Sequence, residues 1–323
     1  MSNYRSRLPQ LDDRLFMTDG GLETWLVFHE GIDLPAFAAF DVLKDEAGVG
    51  LMRRYFERYT ALAQAHGVGL VLDAPTWRAN PDWGASIGYD ADALADANRR
   101  SVELMLELRA AHETPATPIV VCGVVGPRGD GYVVDRRMTR AEATAYHAVQ
   151  IGILAGTDAD MVTAYTLNYA YEAVGVAAAA RDQASPVAIS FTVETDGRLP
   201  SGESLAEAIL ATDEATCGYP AYYMINCAHP EHFAPVLAAG GDWIRRIRGL
   251  RANASRLSHA ELEQCTTLDE GDPTDFGARF EELRRLLPGL TVLGGCCGTD
   301  HRHIGAICSV VAPVRGSTAG APA

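Results

Sequence analysis

Eight short apolar runs, each followed by a longer segment with helical spacing, constrain this chain more than any other feature of its sequence. The runs are "LFMTDGG" (15–21), "VGLVLDA" (68–74), "PIVVCGVVG" (118–126), "DMVTAYT" (160–166), "PVAISFTV" (186–193), "AYYMINCA" (221–228), "WIRRIRGL" (243–250) and "LTVLGGCCG" (290–298). They show little alternation of apolar and polar residues, which is the pattern of parallel strands covered on both faces. Between them, "GVGLMRRYFERYTALAQAHG" (48–67), "DALADANRRSVELMLELRAAH" (92–112), "EAVGVAAAARDQA" (172–184) and "PTDFGARFEELRRLLPG" (273–289) carry apolar residues at helical intervals. Eight such units predict an α/β fold of the (β/α)8 TIM-barrel type. A doubly wound open sheet is the alternative, but no G-x-G-x-x-G follows the first run, so its dinucleotide-binding form has little support. No linker-like stretch divides the chain. Residues 1–311 are read as one barrel domain and the small, polar 312–323 as a disordered tail.

Charge narrows the class of partner. The formal net charge is −15, and the one dense basic stretch, "RRIRGLR" (245–251), is short. Nucleic-acid binding needs clustered Lys and Arg against phosphates, so polyanions are excluded as partners. No apolar window is long enough to span a membrane and the first 16 residues lack a signal-peptide core. The expectation is a cytoplasmic enzyme acting on small molecules. The arginines at 245, 246, 248 and 251 read as surface and loop residues, with Arg251 the outlier because it follows the seventh run beside "ANAS".

Barrel enzymes carry their chemistry at the C-terminal ends of the strands. Those ends hold Asp19, Asp73, Arg128, Asp130, Tyr165, Glu194, Asp196, Asn226, Arg251 and three of the seven cysteines: Cys227, Cys296 and Cys297. Runs six and eight are separated in a closed barrel by one strand, which brings the three thiols within reach of one ion. Zinc favours thiolate ligands in tetrahedral geometry, and three protein ligands leave a position for substrate. Adjacent strand residues point to opposite faces, so Gly294, Gly295 and Gly298 are expected to bend the chain until both sulfurs converge. Filler cysteines and a redox pair are the competing readings, although a disulfide between sequence neighbours is strained. Cys122, Cys217, Cys265 and Cys308 are assigned to the filler class. A zinc centre with three cysteine ligands suits a fourth thiolate better than hydroxide, because a coordinating thiol is deprotonated outright. Such a thiolate favours in-line attack on an activated methyl group.

The stretches "TDGGLET" (18–24), "INCAHP" (225–230) and "GGCCGTDHRHI" (294–304) resemble the homocysteine S-methyltransferase family, in order and placement over essentially the whole chain. The resemblance implies Zn2+ on Cys227, Cys296 and Cys297. It implies that Asp19 and Gly20 hold the amino-acid part of a homocysteine-like thiol acceptor and that Asn226 lines the site. The methyl donor would be a sulfonium or a betaine-type quaternary ammonium. Two departures stand out. Tyr165 occupies the place of the family's glutamate after the fourth strand, and "DAPTWRANPDWG" (73–84) puts Trp77 and Arg78 near the pocket. Glu194 or Asp196 is a candidate replacement for the lost carboxylate. A barrel lyase or hydrolase and a non-catalytic thiol- or zinc-binding homologue are the alternatives. "GPRGDGY" (126–132) is expected over the site without forming a phosphate cradle. "HRH" (301–303) is read as the start of the last helix, capped by Asp300.

Overall fold

The computed structural model describes residues 2–312. All of the expected tail except Ala312 lies outside the described residues. Eight parallel strands close on themselves: β1 (Phe16–Met17), β2 (Gly69–Asp73), β3 (Ile119–Val125), β4 (Met161–Leu167), β5 (Val187–Phe191), β6 (Tyr222–Asn226), β7 (Ile247–Ala252) and β8 (Val292–Gly295). Each pairs with the next, and β8 returns to β1 with Phe16 opposite Val292 and Met17 opposite Leu293. The (β/α)8 barrel expected from the eight runs is the observed fold.

Local signals explain where the helices start and stop. Asp45 accepts the Gly48 N–H to cap the helix Glu46–His66, and Gly67, at φ 64°, ends it in the left-handed conformation. Thr139 and Ser204 close capping boxes with Glu142 and Glu207 on the helices Arg140–Ala155 and Leu205–Thr216. Asp300 caps the last helix, His301–Val311, as its sequence predicts. Its His303 is fully buried.

Inside the barrel, Phe16, Val71, Val120, Met161, Tyr222 and Val292 pack into one cluster, and Leu8 joins it from below. The Thr291 hydroxyl donates to the Gln10 carbonyl at 2.7 Å, so the N-terminal segment plugs the lower end. The outward faces of the strands pack against the helices in a second, larger core. With the bottom covered, the barrel interior of the described residues opens toward the opposite mouth. Among the described residues no helix is long and apolar enough to cross a membrane.

The seventh run needs correction. Asp242–Arg246 form a 3-10 turn entered through Gly241 at φ 123°, and the strand begins only at Ile247. Arg246 turns out of the sheet to hold Asp213 at 2.7 Å, which pins the turn against the helix Leu205–Thr216. The strand therefore extends to Ala252 and takes Arg251 into the barrel, where the residue is only 9% exposed. Arg251 is not a surface or loop residue. The filler assignment also holds for only two of its four cysteines. Cys122 and Cys308 are buried, whereas Cys217 is exposed at the left-handed end of a helix (φ 54°), and Cys265 is exposed as well.

Candidate metal centre and substrate pocket

The three cysteines converge at the mouth. Their sulfurs all lie within 4.8 Å of one another, and Cys227 Sγ is 3.6 Å from Cys297 Sγ. The backbone ladder carries them there. Asn226 of β6, Arg251 of β7 and Gly294 of β8 stand side by side in register. Beyond the named strands, the Cys227 N–H donates to the Arg251 carbonyl at 3.0 Å and the Cys296 N–H to the Ala252 carbonyl at 2.8 Å. Cys227 itself has φ 57°, a strained conformation for a residue with a Cβ, and this turns its sulfur back toward the pair.

The glycines act differently from the sequence-based expectation. Only Gly298 has positive φ (78°). It occupies the third position of a turn in which the Thr299 N–H donates to the Cys296 carbonyl at 3.1 Å, the position where a type II turn requires positive φ. The alternation rule fails for Cys296 and Cys297 because β8 has already ended at Gly295. Gly294 and Gly295 serve close approach instead. A Cβ on Gly294 would lie 1.9 Å from Thr18 Oγ1, and one on Gly295 would lie 2.0 Å from Thr299 Oγ1.

Below the sulfurs, one buried cation organises the floor. Arg251 donates to Asp73 Oδ2 at 2.5 Å, to Asp19 Oδ1 at 2.6 Å, and to the carbonyls of Gly295 at 2.9 Å and Gly20 at 3.0 Å. Tyr55 donates to the other Asp19 oxygen at 3.1 Å. Tyr165 donates to Asp73 Oδ2 at 2.9 Å, with the guanidinium 5.0 Å from its ring centre. Two buried carboxylates share one guanidinium. Burial lifts Asp19 to about 7 against the pull of Arg251, with the Asp73 charge adding to the rise. The arginine charge also reaches the thiols. Cys296 is held well below the ordinary thiol range by hydrogen bonds from Cys227 and Cys297, aided by Arg251. Its two donors are correspondingly raised.

The remaining expected residues have definite places. Asn226 lines the cavity, and its side chain also braces the neighbouring strands: its Oδ1 accepts the Thr166 N–H at 2.9 Å and the Ser190 hydroxyl at 2.6 Å. Arg78 is sandwiched between the rings of Trp77 and Trp83, at 4.0 and 3.9 Å from their centres. Burial lowers its pKa to about 10. Glu194 is absent from the cavity lining. It bonds His259 Nδ1 at 3.1 Å, while His259 Nε2 reaches the Cys227 carbonyl at 2.6 Å. Asp196 is exposed and accepts only the Arg198 N–H among the described residues.

Three residues of the site escaped the sequence reading. Tyr132, on the glycine-rich loop expected over the site, places its hydroxyl 2.8 Å from Cys227 Sγ and stacks on His259 at 4.1 Å. His259 comes from a short helix with no motif of its own. Glu23 lies in the first turn of the helix Leu22–Phe28, where an acidic residue looks like a simple dipole partner. It nevertheless lines the cavity, and burial lifts it to about 7. The cavity above the cysteines measures about 570 Å³.

The family model of the homocysteine S-methyltransferases matches residues 16–311. This chain belongs to the homocysteine S-methyltransferase family. Membership makes it a methyltransferase and sets aside the lyase, hydrolase and non-catalytic alternatives. Homocysteine S-methyltransferase 4 of Zea mays is 25% identical over 314 residues, covering 91% of this chain and 89% of the relative. A methionine synthase of Mycobacterium leprae is 25% identical over 279 residues, but that match covers only 21% of the longer protein. The fold matches that of the metallated homocysteine methyltransferase MmuM of Escherichia coli with a TM-score of 0.71 at 20% identity, over 92% of this chain and 96% of that one.

Proposed function

We propose that this protein methylates homocysteine or a closely related small thiol, using a sulfonium or quaternary ammonium methyl donor and a Zn2+ ion held by Cys227, Cys296 and Cys297. The observation that carries the reading is the meeting of those three sulfurs at the mouth of a cavity of about 570 Å³. The donor set fits the ion. Tetrahedral zinc with bonds of about 2.3 Å places its sulfurs about 3.8 Å apart, close to the 3.6 Å between Cys227 and Cys297. Bound there, zinc supplies the acceptor as a thiolate at neutral pH.

The chain's own residues do the rest. Cys227 is fixed by its strained backbone and by His259, which Glu194 orients; a hydrogen-bonded partner of this kind sets the position of a metal ligand. The Tyr132 hydroxyl covers one side of the Cys227 sulfur. Arg251, with Asp19 and Asp73, keeps the floor rigid and lends positive potential to an electron-rich cluster. The walls are mostly apolar, with Phe28, Phe37, Leu262 and Leu268 toward the rim, which excludes water from two reactants held in line. All seven cysteines are free, which suits the reducing cytoplasm.

The test is direct. Zinc-loaded protein is incubated with homocysteine and, in turn, labelled S-methylmethionine, S-adenosylmethionine and betaine. Labelled methionine from at least one donor, lost with the zinc in Cys297→Ala, is the expected result. No labelled thioether from any donor with any small thiol would end the reading.

A further inference from the structure

The ionisable side chains that line the cavity divide into satisfied and unsatisfied groups. Arg251 pairs with both Asp19 and Asp73, Tyr55 takes the other Asp19 oxygen and Tyr165 shares Asp73 Oδ2. Asp73 is thus ion-paired, although its Oδ1 is buried without a hydrogen-bond partner among the described residues. Asp130 accepts the N–H groups of Tyr132 and Val133, and Asp269 accepts from the Ser255 hydroxyl and the Gly271 N–H. His259 spans Glu194 and the Cys227 carbonyl. Glu263 also lines the cavity without an ion pair among the described residues, but it is exposed to solvent; two opposite charges remain in the inner wall. Among the described residues Glu23 makes no ion pair, and its carboxylate is met only by its own backbone N–H. Arg78 is 6% exposed and makes no ion pair among the described residues. Its one hydrogen bond is to the Gly129 carbonyl at 3.2 Å, and its Nε is buried without a partner.

These two residues follow neighbouring strands, β1 and β2, yet they do not pair with each other. The Trp77 and Trp83 rings explain why, since the guanidinium cannot swing toward Glu23 without leaving both faces. The same stacking fills the aromatic faces that could otherwise cage a cationic donor. An unpaired charge withdrawn from water is costly, and the buried Arg78 and the part-buried Glu23, held apart in one wall, are complementary to a zwitterion. Glu23 also sits beside the metal centre. Gly21 packs so closely on the Cys296 carbonyl that a Cβ there would approach it to 2.4 Å, and Thr24 Oγ1 accepts the Gly298 N–H at 3.2 Å. Asp19 is not free for the same task, because both its oxygens are taken by Arg251 and Tyr55.

We propose that Glu23 and Arg78 form the amino-acid clamp of the acceptor, Glu23 receiving the α-ammonium and Arg78 the α-carboxylate of a thiol amino acid whose sulfur lies at the cysteines. The proposal rests on the thiol-methylation reading and narrows its acceptor to a zwitterionic thiol. It moves recognition of the ammonium from Asp19 to the first turn of the following helix.

Equilibrium binding to the zinc-loaded protein tests the clamp without turnover. Three thiols are titrated by calorimetry: homocysteine, 4-sulfanylbutanoate, which lacks the ammonium, and 3-sulfanylpropan-1-amine, which lacks the carboxylate. The wild type is expected to bind homocysteine about 30-fold more tightly than either truncated thiol. Arg78→Met should weaken homocysteine and 4-sulfanylbutanoate by about that factor while leaving 3-sulfanylpropan-1-amine within about threefold. Glu23→Gln, which changes no shape, should show the mirror pattern and gives an independent answer if Arg78→Met fails to fold. Equal affinities for the three thiols in the wild type, or variants that weaken all three alike with zinc retained, would overturn the clamp. Selective binding without methyl transfer to any thiol would end the proposed function and leave the clamp standing.

Discussion

Arg251 of β7 reaches Asp19, just past β1, at 2.6 Å beneath the three cysteines. The same guanidinium holds Asp73 at 2.5 Å and the carbonyl of Gly295, so one side chain ties together the ends of four strands. The pair joins a stability problem to a functional one, because two buried carboxylates depend on a single cation that also faces the thiols.

Removing that cation strands both carboxylates. Arg251→Met is expected to cost about 3–5 kcal/mol of folding stability, the range for breaking a buried ion pair from one side. Urea unfolding of the metal-free variant and wild type checks this. A loss below about 1 kcal/mol would mean that the carboxylates are relieved in another way.

Gly294 is required by close approach. In Gly294→Ala the new methyl meets Thr18 Oγ1 at 1.9 Å, so β8 must move away from β1. The expected cost is about 1–3 kcal/mol. Zinc stoichiometry should fall with it, since Cys296 follows two residues later. Thermal unfolding and metal analysis report the two effects separately.

Tyr132→Phe keeps the ring on His259 and deletes only the hydroxyl beside Cys227. Partners of metal ligands are worth about 10–100-fold in affinity, and a loss of about tenfold is expected here, read by competition with a chromogenic chelator. His259→Ala, which frees the Cys227 carbonyl, should lose at least as much.

Asp300 gives the protein an acid-sensitive cap. Burial works to raise its carboxyl, but His303 and Arg302 win and hold it well below the usual carboxylate range. A depressed carboxylate stabilises the fold fully above its unfolded value of about 3.9, and that contribution is lost as pH falls through the folded value. Asp300→Asn should therefore be less stable than wild type at pH 7, with the difference shrinking as pH falls below about 4. Denaturation midpoints across that range measure it.

The barrel was legible because its strands are buried on both faces and read as unbroken apolar runs, as β3 does from Ile119 to Val125. The cysteines were legible because their residue type is rare and their strand-end positions coincide. Arg251 was not. "WIRRI" has the apolar content of a strand, and only the tertiary pull of Asp213 on Arg246 turns it into a 3-10 turn and shifts β7 toward the mouth. Glu23 was hidden because a first-turn glutamate has an ordinary explanation in the helix dipole. Tyr132 and His259 meet across 127 positions of sequence, as Tyr132 and Cys227 do across 95, and nothing local marks such a contact. Glu194 shows the converse. Its strand-end position suggested substrate, while its side chain serves His259.

The central claim is a cysteine cage that takes a thiol as its fourth partner. X-ray absorption at the zinc edge of the loaded protein tests it most directly. The expected spectrum shows three sulfur ligands at about 2.3 Å, rising to four when homocysteine is added. A shell containing imidazole nitrogen in place of a cysteine sulfur, or a sulfur count unchanged by saturating homocysteine, would contradict the account.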